Sequence, residues 1–178
     1  MILTDREIQI AIKCGQIGID PLPDPTAYSS TSLDLTLASH GWIWRAHAGQ
    51  PIRPGARGYK YTDTRHRQER VSVDGYTLEP KGFLLAYTKE KVNLPITSRV
   101  AARVEGKSSI SRLGVGIHIT APTIHAGFNA PLQLEMFNFG PHEMILDEGM
   151  KICQLIFEQT TGTPEQGYQG MFADQRAA

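Results

Sequence analysis

Apolar positions along this chain recur with two different periods. Near the N-terminus the spacing is helical, with Ile8 and Ile12 four apart behind a Thr4-x-x-Glu7 pattern that reads as a capping box. Leu3 and Ile8 flank that cap as a hydrophobic staple, and Gly15 can end the helix in the left-handed conformation. From Asp20 to Ser32 the chain carries three prolines and a polar run, the composition of a loop. Beyond Ser32 the helical period almost vanishes. Short apolar runs follow one another: SLDLTLA, GWIWRA, GYTLEP, GFLLAYT, SRVAARVEG, GVGIHITAP, APLQLEMFNFG, MILDEG and MKICQLIFE. Gly, Pro and Asn/Asp separate them, and such a series predicts an all-β barrel or sandwich.

Two segments interrupt the series. Gln50 to Glu69 holds Arg53, Arg57, Lys60, Arg65 and Arg67 but few aliphatic residues, so it is expected to be an exposed excursion. It reads either as a solvated loop or as a cover over a neighbouring subunit or an anion. Lys107 to Gly114 reads as a short helix, with serines for the N-cap and Gly114 for the C′ position. Ser108 and Arg112, four apart, share one face of it. Free N–H groups, hydroxyls and Lys107 suit a phosphate; an ordinary capped turn with a surface arginine fits the same residues. No repeat and no linker divides residues 1–178, so one domain is expected.

Alternation in PLQLEMFNFG puts Gln133, Glu135, Phe137 and Phe139 on one face of a strand. Leu132, Leu134 and Met136 take the other, and both faces are apolar enough to predict burial on both sides. A lone carboxylate beside Phe137 and Phe139 is costly unless paired or protonated. Glu135 is therefore either a general acid or base with a raised pKa or a structural partner of Arg103 or Arg112.

Composition narrows the function. Lys and Arg total 18 and Asp and Glu total 18, a formal net charge of zero. Coating nucleic acid or an anionic membrane needs a wide basic field, so neither is an expected partner, and any anion must be caught by a local pocket. Cys14 and Cys153 are far apart with no C-x-x-C pair, which predicts buried thiols in a reducing compartment. Charges in MILTDREIQ stand where a secretion signal needs an apolar core, and no apolar run reaches the roughly 20 residues of a membrane span. A cytoplasmic protein is the expectation. His118, His125 and Glu135 fit no common metal-ligand spacing, and the zinc deaminase signature H-x-E…P-C-x-x-C is absent. No H-E-x-x-H, G-x-S-x-G or Walker A run is present either.

The run RVEGKSSISRLGVGIHITAPTI resembles the central motif of the dCTP deaminase family. LQLEMFNFG resembles that family's strand with its catalytic Glu, and DEGMKICQLIFE its later P-G-M-x-I-G-Q-L strand. GQIGIDP and SSTSLDLTL are also similar in order and spacing, so the resemblance covers nearly the whole chain. It implies a mainly β fold, a distorted barrel or jelly roll of the dUTPase-like type, in a homotrimer with sites at subunit interfaces. It implies zinc-free hydrolytic deamination of dCTP to dUTP and ammonia. Glu135 is then the general base that takes a proton from water. Ser108 and Arg112 match residues that hold water and base, and the backbone around Ala121 matches a carbonyl that orients the water. Lys107, Ser109, Ile110 and Ser111 match the loop that cradles the triphosphate, with Mg²⁺ across the phosphates. His125, Gln133, Leu134, Gln154 and Tyr168 complete the implied substrate contacts.

Three places depart from the family pattern. His125 stands in IHAGF where the family has an Asp that contacts the deoxyribose and assists dUTP hydrolysis in bifunctional relatives. Pro122 stiffens the backbone near the reacting centre. The tail, residues 162–178, is short and lacks the Lys of the K-Y-x-x-Q motif; Tyr168 matches a tyrosine of it and Arg176 is the basic residue that remains. These departures keep other readings open: a deaminase of a related cytosine deoxynucleotide, a bifunctional deaminase–dUTPase, or a non-catalytic nucleotide-binding regulatory or defence protein.

Overall fold

A computed structural model describes residues 1–46 and 51–168. Helix α1 spans Asp5–Lys13, and the capping box forms as the sequence requires. The Thr4 hydroxyl and its backbone N–H both donate to the Glu7 carboxylate. These bonds hold the Glu7 carboxyl below the usual carboxylate range. The cap therefore favours the folded state above that range and loses its contribution as pH falls. Gly15 follows at φ 71°, the left-handed region, and ends the helix. Ile8 and Ala11 face the core. Cys14, expected to be buried, is exposed, because it follows the last helical residue and turns to solvent. Cys153 is buried, and desolvation pushes its thiol up, with the Glu90 and Asp34 carboxylates adding to the effect.

Twelve strands follow among the described residues. They are β1 (Gly18–Asp20), β2 (Tyr28–Ser29), β3 (Ser32–Trp44), β4 (Gln68–Ser72), β5 (Tyr76–Leu78) and β6 (Phe83–Asn93). After them come β7 (Val100–Gly106), β8 (Val115–Gly116), β9 (Thr123–Ile124), β10 (Asn129–Asn138), β11 (Met144–Leu146) and β12 (Lys151–Gln159). Helix α2 (Ser108–Ser111) lies between β7 and β8. Ten strands form one sheet in the order β8-β10-β6-β3-β12-β7-β9, with β1 on β6 and both β2 and β4 on β3; β5 and β11 pair separately. The long strand β3 makes this possible. Its first half pairs with β12, from Leu33 to Thr36, and its second half with β4, from His40 to Trp44. The sheet curls round one core of Leu33, Leu35, Leu37, Leu84, Leu134, Met136, Leu155 and Phe157, all fully buried. It does not close, and β8 and β9 are its two ends. Among the described residues no helix is long and apolar enough to cross a membrane.

The structure corrects several expectations. Within the predicted loop, Asp24 accepts from the Thr26 N–H at 2.7 Å and so winds a 3-10 turn at Pro25–Ala27 before β2. The excursion is more than a solvated loop. It holds the 3-10 helix Tyr61–Arg67, in which Thr64 is buried and its hydroxyl donates to the Tyr61 carbonyl at 2.6 Å. Tyr61 meets Trp44 edge-on, with ring centroids 6.4 Å apart. Residues 47–50 lie outside the described residues. GIHIT extends as a strand only through β8, and residues 117–122 leave the sheet as a loop. The N-cap of α2 is Lys107 rather than a serine, with no side-chain cap bond. Strand β10 is buried on one face only: Leu132, Leu134 and Met136 are in the core, whereas Gln133, Glu135 and Phe137 are half-buried on the other side.

Leu35, wholly buried in the first half of β3, tests the core. Leu35→Ala should lower unfolding free energy by about 2–5 kcal/mol in urea titrations, the usual effect of a core cavity.

Candidate active site

The half-buried face of β10 is brought against the loop 117–122 by simple register. Strand β8 runs antiparallel to β10 with Gly116 opposite Phe137, so the chain leaving β8 passes alongside Glu135. There the Ile119 N–H donates to Glu135 Oε2 at 3.2 Å. At its far end the loop is fastened to the other side of the sheet: the Val104 N–H donates to the Pro122 carbonyl at 2.8 Å, and β9 pairs with β7. The loop thus spans the gap between the two ends of the sheet.

A cleft of about 560 Å³ opens beneath it, lined by Glu135, Gln133, Ala121, His125 and Tyr168 among others. That volume suits a small-molecule site. Trp44, Tyr61, Phe83, Leu85 and Phe128 supply its apolar wall. Glu135 forms no ion pair among the described residues. Arg103 is engaged by Glu105 at 3.4 Å and Glu158 at 3.3 Å, and Arg112 is exposed on α2. A carboxylate held by one backbone donor and facing a cleft keeps acceptor capacity for a ligand or water. Gln133 donates from Nε2 to the Tyr87 hydroxyl at 2.7 Å. Leu134 points its side chain into the core, so only its backbone can serve the cleft.

His125 and Tyr168 close one end of the cleft. Their rings stack with centroids 5.5 Å apart and planes 15° apart, and the Tyr168 N–H donates to the Ala126 carbonyl at 2.9 Å. Gly127 makes this approach possible. It sits at φ 91°, and a Cβ there would lie 2.7 Å from the Tyr168 nitrogen. The tail therefore packs at the cleft through Tyr168; Arg176 lies outside the described residues.

The remaining candidates form a second group. Ser108, Ser109, Ser111 and Arg112 are exposed on and beside α2, and Ile110 packs against the core. None of residues 107–112 lines the Glu135 cleft of the same chain. Lys107 Nζ lies 2.5 Å from Asp34 Oδ1, and Lys151 Nζ lies 3.5 Å from Asp34 Oδ2. Gln154 accepts from the Ser32 hydroxyl at 2.9 Å and donates to the Gly106 carbonyl at 3.1 Å, so its amide braces the turn into α2.

Sequence reasoning missed the apolar wall. Trp44 was visible in GWIWRA and Tyr61 in the excursion, but aromatic residues with no shared period gave no sign that they meet. Among the described residues no group of three or more His, Cys, Asp or Glu is placed to hold a metal ion.

Residues 2–160 match a family model described as dCTP deaminase-like, and the chain belongs to that family. One relative is a "dCTP deaminase, dUMP-forming" of Aquifex aeolicus, 34% identical over 176 residues, covering 99% of this chain and 91% of the relative. Another of that name, from Methanoregula boonei, is 38% identical over 182 residues, covering 100% of this chain and 94% of the relative. The crystal structure of 2'-deoxycytidine 5'-triphosphate deaminase from Agrobacterium tumefaciens superposes with a TM-score of 0.69 at 25% identity. That match covers 89% of this chain and 48% of the other, so the chain spans about half its length. A dUTPase from phage phi11 of S. aureus shares the fold, with a TM-score of 0.52 at 12% identity over 86% of this chain and 96% of that one.

The docking of Tyr168 gives a direct test. Gly127→Ala places a methyl group against the Tyr168 backbone. Hydrogen-exchange mass spectrometry should show faster exchange at Tyr168, with core amides unchanged.

Proposed function

We propose that this chain is a deaminase of dCTP that uses Glu135 to activate water and releases dUTP and ammonia. One observation carries the reading: Glu135 faces a nucleoside-sized cleft with no cation paired to it among the described residues and with one oxygen oriented by the Ile119 N–H. Its other oxygen is available to a water. Glu135 takes a proton from that water as the oxygen attacks C4 of cytosine. That proton passes to the exocyclic amine, the C4–N bond breaks and ammonia leaves, while the second proton of the water moves from the attacking oxygen to N3 as the C4 carbonyl forms. The charge that develops on the ring needs donors aimed at it. Ser108 and Arg112 have the chemistry for this. Since they lie outside the cleft of their own chain, a neighbouring copy in a homotrimer supplies them. Exposed Leu113 and Phe139, at 51% and 72% accessibility, suit burial in such an interface. The Ala121 carbonyl orients the water and Gln133 contacts the base. Lys107, Ser109, Ile110 and Ser111 receive the triphosphate, which arrives as its Mg²⁺ complex, so that the metal belongs to the substrate.

A second reading is favoured by the names of the relatives. Enzymes described as dUMP-forming, 33–39% identical to this chain, point to loss of pyrophosphate after deamination. His125 supports the first reading, because an imidazole cannot carry the fixed negative charge expected at that position.

The wild type should release ammonia from dCTP, and Glu135→Gln should lower that rate by roughly 10²–10⁴-fold while dCTP still binds. Binding without any ammonia release by the wild type would overturn the reading. Chromatography of the same reaction separates dUTP from dUMP with pyrophosphate. Shared sites have their own signature. Glu135→Gln and Arg112→Ala chains, each inactive alone, should recover about one quarter of wild-type activity when co-expressed at equal levels and mixed at random in a trimer.

A further inference from the structure

The charged residues beneath α2 are arranged in an unusual ratio. Asp34 is only 8% exposed, yet each of its carboxylate oxygens faces a different lysine. Lys107, 22% exposed, lies 2.5 Å from Oδ1, and Lys151, 39% exposed, lies 3.5 Å from Oδ2. Lys151 is itself steadied by the Thr26 carbonyl at 2.6 Å. Lys107 therefore turns inward, toward β3, rather than outward past the serines of α2. A lysine bonded to a buried carboxylate reaches a phosphate only by giving that carboxylate up. Stranding a buried anion is costly. Two cations on one carboxylate remove the difficulty, because one can leave while the other stays.

We propose that Lys151 is a positioning residue that holds Asp34 when Lys107 turns out to a phosphate, so that Asp34 and Lys151 together set how readily Lys107 is released. This rests on the reading above that Lys107 binds the substrate's phosphates. The geometry suits the exchange. Lys151 starts at a loose 3.5 Å and can tighten, whereas Lys107 starts at the short distance and must let go. The backbone need not move, since Gln154 fixes the Gly106 carbonyl just before Lys107. Lys151 takes no part in the chemistry; it acts through the partner it shares with Lys107.

Calorimetric titration of the full-length protein with inorganic tripolyphosphate tests this. Lys107→Met should weaken binding about tenfold. No change there would overturn the phosphate reading and the exchange with it. If Lys107→Met does weaken binding, Lys151→Met decides the exchange. It should weaken binding about fivefold beside Asp34 and less than about twofold beside Asn, in the Asp34→Asn background. Equal losses in the two backgrounds would mean that Lys151 adds only surface charge, and the exchange would be wrong while the phosphate reading stood. Lys151→Arg keeps a cation for Asp34 and should bind as the wild type, a comparison that holds even if the Asn background fails to fold. Arg as weak as Met would overturn the exchange.

Discussion

A sheet that curls without closing leaves two ends facing one another, and the site depends on how this chain spans the gap between them. Strand β3 serves both halves of the sheet, with β12 beside its first half and β4 beside its second. That single strand brings β8 and β9 round toward each other. Residues 117–122 run from one to the other, tied to Glu135 at one side and to Val104 at the other. The cleft is the space this crossing roofs over. Its apolar wall comes from strands β3 and β6, from the excursion that returns the chain to β4 and from Phe128 just before β10. None of these parts makes a cleft alone.

Charge is used in two opposite ways within a chain that is neutral overall. Among the described residues Glu135 has no cation paired to it and accepts from one backbone donor, which leaves it acceptor capacity toward the cleft. Asp34 has two cations, more than its charge needs. Arginines that could have quenched Glu135 are committed elsewhere, as Arg103 is to Glu105 and Glu158, or are carried away on α2. Low net charge thus says little about local fields. What matters is which charges are left unbalanced, and where.

Much of this could be read from the sequence because the cues were local. Thr4, Glu7 and Gly15 specify α1 by bonds within a few residues, and the alternation of Leu132, Leu134 and Met136 fixes which face of β10 is buried. The motif EGKSSISRLG and Glu135 together carried the family. What stayed hidden depends on contacts between distant segments. Trp44 and Tyr61 meet only because β3 and β4 pair. Alternation could not show that the second face of β10 opens to a cleft, because Phe137 and Phe139 look like core residues in sequence. Nor could spacing show that Glu135 and the Ser108–Arg112 group lie apart within one chain, since sequence order carries no information on which side of a sheet an intervening turn emerges. Lys107 became the N-cap of α2 and Asp34 took its side chain, a pairing of residues 73 positions apart.

The bond from Ile119 to Glu135 joins the loop to the strand that carries the cleft-facing carboxylate. A carboxylate accepts a hydrogen bond more strongly than the neutral acid does. The Glu135 carboxylate accepts from Ile119 at one side of the loop, and the Val104 N–H donates to the Pro122 carbonyl at the other. The Glu135 carboxylate therefore does two things at once: it presents an acceptor to the cleft and pins the loop that roofs it.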